Sequence, residues 1–212
     1  MAMMKQQRLV PDQIAKRTSY KHTFSLWEMY RLFVMIPSAA GKMIRNRRKH
    51  LVSASLVKRM QLAVTEVFGC TACSYAHASA ALKQGLSSQE VYSFLNGDGE
   101  YVRREEAKAV LFAQHVAETR GIPEAESYQA VVDAYGKQEA QIMLSAAQLM
   151  ILGNMFGIHF SALQKRFKGA SFSNSSLLYE LAMLTGGVLL LLLGLVNGVL
   201  RCILGYTNIV LN

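Results

Sequence analysis

Glu66-Val-Phe-Gly-Cys70-Thr-Ala-Cys73-Ser-Tyr-Ala-His77 lies between two stretches of helical periodicity and decides how the chain reads. Before it, Leu56, Met60, Leu62, Ala63 and Val67 recur at spacings of three and four, so Leu51 to Phe68 reads as one amphipathic helix. Gly69 interrupts the pattern, and Cys70 to Gln84 restarts it as a second helix. Cys70 and Cys73 are then i,i+3 in a first helical turn, close enough for a disulfide. Cys73 and His77 are i,i+4 on one face, so an imidazole one turn away can take the thiol proton and hold the thiolate. The positive end of the helix dipole at that turn lowers a thiol pKa further. Glu66, one turn before Cys70, is a candidate to orient His77 or relay a proton, if the bend at Gly69 brings it round.

Other chemistries fit these residues less well. Covalent haem attachment needs a histidine directly after the second cysteine, and Ser74, Tyr75 and Ala76 intervene here. Two thiolates, an imidazole and a carboxylate would satisfy zinc, although all would come from one short stretch with no second Cys-x-x-Cys or His pair. A buried structural cysteine pair also stays open. A thioredoxin fold is disfavoured because the βαβ context is missing. His22, His50, His115 and His159 are scattered and read as surface or core histidines. Cys202, far from the pair, reads as an inert thiol.

The remaining sequence is helical by pattern. Phe24 to Ile36 is amphipathic and stopped by Pro37. Gly85 caps one helix, and Ser87 or Ser88 opens the next, with Glu90 placed as in a capping box. Asn96-Gly-Asp-Gly99 is a turn. Helix is expected over Tyr101 to Arg120, from Pro123 to near Gly136, and from Lys137 to about Phe160. No alternating strand pattern appears, so the fold class expected is all-α. The domains read as a basic helical N-terminal extension over 1–50, a dithiol domain over 51–168, a linker over 169–176 and a hydrophobic helix over 177–204.

Charge separates these parts. Residues 1–50 hold eleven Lys and Arg against Asp12 and Glu28, which accounts for the whole net charge of +9, and the rest of the chain balances. That end suits an anionic surface, or is a solvated basic arm. Nucleic acid is not expected as a partner, since no binding motif or aromatic stacking platform accompanies the charge. Three cysteines in 212 residues make no secreted disulfide framework and suit a reducing compartment. Met1 to Pro11 lacks the apolar stretch of a cleavable leader. Leu181 to Leu200 is free of formal charge and long enough to cross a bilayer, at about 1.5 Å per residue. It reads as a membrane helix, or as a buried oligomer helix or an interfacial hairpin. Lys165, Arg166 and Lys168 before it keep the main domain cytoplasmic.

The Cys-x-x-Cys-x-x-x-His run resembles the redox members of the alkyl hydroperoxidase D / carboxymuconolactone decarboxylase-like family. Ala80-Ala-Leu-Lys-Gln-Gly-Leu-Ser-Ser-Gln-Glu-Val91 is similar to that family's continuation after the motif, and Leu152-Gly-Asn-Met-Phe-Gly157 to its later helix. The likeness covers roughly Val52 to Phe167. It implies an AhpD-like helical bundle assembled as a trimer or hexamer, and reduction of a peroxide or disulfide substrate. It implies Cys73 as the attacking thiolate and Cys70 as the resolving thiol. Many members place a glutamate twelve residues before the first cysteine, where Lys58 stands here, so Glu66 would have to complete the relay. No nucleotide-binding loop occurs and no cofactor is expected. Reducing equivalents would come from a thiol reductant protein or a small thiol.

Overall fold

A computed structural model gives the fold and describes residues 10–16, 18–206 and 211. The helices run α1 (Asp12–Ala15), α2 (Leu26–Lys49), α3 (Ala54–Phe68), α4 (Thr71–Lys83), α5 (Ser88–Asn96), α6 (Ala107–Glu118), α7 (Ala125–Tyr135), α8 (Lys137–Phe167) and α9 (Leu177–Ile203). No strand occurs among the described residues, and the protein is all-α.

The spine is α8. Ile142, Met143, Leu144, Ile151 and Met155 are fully buried along it, and α2, α3, α4, α6, α7 and α9 all pack on it. Its neighbours begin and end where local chemistry dictates. Ser53 caps α3 by accepting the Leu56 N–H at 3.2 Å. Gly69, at φ +62°, ends α3 in the left-handed conformation, and its N–H bonds the Thr65 carbonyl at 2.8 Å. Ser87 caps α5 by accepting the Glu90 N–H at 3.1 Å. The Glu90 carboxylate does not close a capping box but reaches Arg59 at 2.6 Å.

Four expectations need correction. Pro37 does not stop the second helix: α2 continues to Lys49. Proline removes one backbone bond, but Met29, Leu32, Phe33, Met35 and Ala39 are buried on one face, and packing against α8 and α9 outweighs the loss. Residues 10–16 and 18–49 are therefore built into the core rather than appended to it, with Val10 and Ile14 buried as well; residues 1–9 of the expected extension lie outside the described residues. Helix does not begin at Tyr101. Residues 100–106 form turns, which bring the buried Glu106 to Arg59 at 3.1 Å. Finally, 169–176 is not a free linker: Phe172 is buried, and Asn174 clasps the Tyr20 backbone through bonds of 2.8 and 3.0 Å.

Two helices, Lys137–Phe167 and Leu177–Ile203, are long and apolar enough to cross a membrane. They differ in what surrounds them: the most apolar window of α8 is 72% buried and that of α9 only 22%. α9 runs parallel to α2, with Gly186 on Leu26, Gly194 on Phe33, and Gly198 on Val34 and Pro37.

Candidate functional site

Gly69 ends α3 one residue before Cys70, and Cys70 then caps α4. This places a sulfur where helix N-terminal N–H groups point. The Cys73 N–H donates to Cys70 Sγ at 3.2 Å, and the Ser74 hydroxyl ties down the Cys70 carbonyl at 2.8 Å. The Cys70 and Cys73 Cα atoms lie 5.3 Å apart, and the two sulfurs are joined as a disulfide. Both cysteines are buried, Cys70 to 2% exposure and Cys73 to 7%.

The opposing wall is α8. A Cβ at Gly157 would collide with Cys73 Sγ and come within 3.0 Å of Cys70 Sγ. Only glycine lets the α8 backbone lie this close to both sulfurs. One turn earlier, the solvent-exposed Gly153 sets its carbonyl 3.7 Å from Cys73 Sγ, where the reduced thiol can donate to it. On the other side a small recess adjoins Cys70, lined by Ser19, Tyr20, Thr71, Ser161 and Phe172. About 10 Å³ of it is open to water-sized molecules, roughly the room for one water. The N-terminal segment covers this side: the Thr71 hydroxyl bonds the Ile14 carbonyl at 2.9 Å.

His77 lies one turn beyond Cys73 on α4. Its Nδ1 is buried without a hydrogen-bond partner. Burial, reinforced by the neighbouring Lys58 ammonium, pushes the imidazole pKa down to about 4. The ring is therefore neutral near pH 7, the form that accepts a proton. Lys58 itself is buried to 8% exposure and bonds Gln61 at 2.7 Å. Burial lowers its pKa too.

The structure joins Cys70 to Cys73, keeps His77 one helical turn beyond Cys73 and sends Glu66 elsewhere. Glu66 Oε1 accepts from Lys21 Nζ at 2.8 Å, and Lys21 also bonds the Glu66 carbonyl at 2.9 Å. The carboxylate lies against Gly97 at the end of α5. No hydrogen bond joins it to His77. The bend at Gly69 does not turn Glu66 into the relay, and the charged neighbour of His77 is Lys58. Nothing local to Gly153 and Gly157 signalled their contact with the sulfurs. Nothing local to Glu66 signalled Lys21.

Chemically, a thiolate on Cys70 would be held by the Cys73 N–H and the helix dipole. Among the described residues no three His, Cys, Asp or Glu side chains gather as metal ligands. Compared with family models, with curated proteins and with solved structures, this chain matches none of them.

Proposed function

We propose that the chain is a thiol-dependent peroxidase or disulfide reductase of the alkyl hydroperoxidase D-like type, working as a homo-oligomer associated with the cytoplasmic face of a membrane. The observation that carries the reading is the join of a helix-capping Cys70 to Cys73, with a half-buried neutral imidazole one turn on.

In the reduced enzyme His77 takes the Cys73 proton. The thiolate attacks a peroxide oxygen, an S–O bond forms and the O–O bond breaks. The departing alkoxide leaves as alcohol with the proton from His77. Cys70 thiolate then attacks the Cys73 sulfenic sulfur, an S–S bond forms, and hydroxide leaves to become water with the Cys70 proton. Two electrons have passed from the dithiol to the peroxide. A disulfide substrate follows the same path through a mixed disulfide on Cys73. Two thiols of a partner protein or of a small thiol restore the dithiol by exchange.

The test is turnover of cumene hydroperoxide by the purified chain with a dithiol donor, following alcohol formed and thiol consumed. Cys73→Ser should abolish turnover, and Cys70→Ser should leave a sulfenic acid on Cys73. Full turnover in Cys73→Ser overturns the proposal. A second reading, a non-enzymatic redox-sensing or structural dithiol, is favoured by the shielding of both sulfurs and the diversion of Glu66. Fast reversible oxidation without turnover would select it.

A further inference from the structure

The outward face of α9 is apolar along its length. Leu189, Leu192, Leu193, Val196, Leu200 and Ile203 are each more than half exposed. A continuous apolar face of this kind calls for a covering surface. Its inner face carries the glycines that meet α2: Gly187 on Met29, Gly194 on Phe33 and Gly198 on the Val34 carbonyl. The two helices run parallel with Gly198 against Pro37, so α9 ends beside the Lys42 region and α2 runs on past it to Lys49. Lys42, Arg45, Arg47, Arg48 and Lys49 crowd the last two turns of α2, and Arg201 lies in the last turn of α9. No Asp or Glu occurs between residues 29 and 65 or between 181 and 212. The nearest acid on the third helix of that end is Glu139, in the first turn of α8, beside the Gln138 that binds Arg45 at 2.9 Å. Exposed aromatics mark both ends of the ridge, Trp27 at the start and Tyr206 at the finish, the residue types that settle at a bilayer interface.

Crossing the bilayer is a poor fit for this helix. α2 sheathes α9 over most of the apolar segment and would have to cross with it, taking along Arg31 and the Glu28–Arg120 ion pair. The start of α9 is also anchored in the domain by Glu180, fully buried and bonded to Arg166 at 2.8 Å.

From the membrane association proposed above, we infer that the α2/α9 ridge lies in the plane of an anionic bilayer surface, the leucine face of α9 in the acyl boundary and the basic end in the headgroups. The ligand class is anionic phospholipid. One-sided apolarity combined with a basic end is the pattern of a monotopic helix.

The test is flotation of the full chain with vesicles of neutral phosphatidylcholine alone or with phosphatidylglycerol added. Binding is expected to the anionic vesicles, to weaken at high salt, and to be released by alkaline carbonate. Replacing Arg47, Arg48 and Lys49 by Gln should lower partitioning about a hundredfold, from about fivefold per charge. Leu192→Asp with Val196→Asp should abolish it. A membrane-impermeant maleimide added on the domain side should label Cys202. Equal flotation with neutral vesicles, resistance to carbonate and labelling of Cys202 only after permeabilisation would overturn in-plane seating and leave membrane association standing. No flotation, with a soluble oligomer in sedimentation, would overturn both and identify a second copy as the cover.

Discussion

The dithiol side and the α2/α9 ridge use the same device for opposite ends. Each depends on glycines that admit a close neighbour: Gly157 of α8 the Cys70 and Cys73 sulfurs, and Gly194 and Gly198 of α9 the α2 backbone. At the dithiol the close approach seals reactive groups inside a packed bundle, and charge is handled internally. Arg59 is buried between Glu90 and Glu106, and Lys21 holds Glu66. At the ridge the glycines face inward and the leucines outward, so the large side chains remain uncovered. Stability should therefore be concentrated on the dithiol side, and partitioning to a second phase on the ridge. Substitutions matched across the two sides can break that distinction.

The largest effect on a protein that still folds belongs to the buried ion triad. Arg59 is 5% exposed at the side chain, and Arg59→Met leaves Glu90 and Glu106 buried without their cation. The expected loss is roughly 3–5 kcal/mol, read from urea unfolding of the oxidised protein. A loss below about 1 kcal/mol would show that water reaches the two carboxylates, and that this side is less sealed than its burial indicates.

A smaller effect, with a sign test built in, comes from the α8 glycines. Gly157→Ala forces a Cβ into Cys73 Sγ, costing about 1–3 kcal/mol by overpacking and exceeding the roughly 1 kcal/mol that alanine gains in a helix. Gly153→Ala meets nothing within 4 Å and should stabilise by about 0.5–1 kcal/mol. Thermal unfolding of the pair, oxidised and reduced, checks both signs. Stabilisation by both substitutions would mean that the wall does not press on the sulfurs.

These contrasts also separate what local pattern conveys from what it cannot. The i,i+3 and i,i+4 spacings of Cys70, Cys73 and His77 and the breaks at Gly69 and Gly85 are local chemistry, and they are legible because helical geometry fixes neighbours within one turn. Glu66 follows the same local logic and goes astray, since its partner Lys21 is 45 residues away and is brought there by the N-terminal segment folding over α4. Pro37 misleads for a related reason. A local rule ends the helix there, but burial along α2 overrides it. The apolarity of α9 was plain in the sequence. That α2 sheathes it was not, because the glycines that permit the approach look like the glycines of any membrane helix.

His77 supplies a pH dependence confined to the dithiol side. Its pKa is about 4 in the folded chain and near 6.5 when unfolded. Between those values the unfolded state binds more protons, so the contribution to stability is complete above pH 6.5 and is lost as pH falls toward 4. Unfolding titrations of His77→Gln should show a flatter slope across that window. An unchanged slope would place the acid sensitivity on another group and leave His77 solvated.

The smallest effect is expected on the ridge and is the most discriminating. Leu192 is 64% exposed, so Leu192→Asp should change the lipid-free unfolding free energy by about 0.5 kcal/mol or less. On the dithiol side the comparable exchange at Leu95, fully buried, would place an unpaired carboxylate in the core and prevent folding. If Leu192→Asp instead lowers stability by several kcal/mol in the absence of lipid, the leucine face is already buried in solution. Another copy of the chain would then be the cover, and the ridge would join the dithiol side as packed interior.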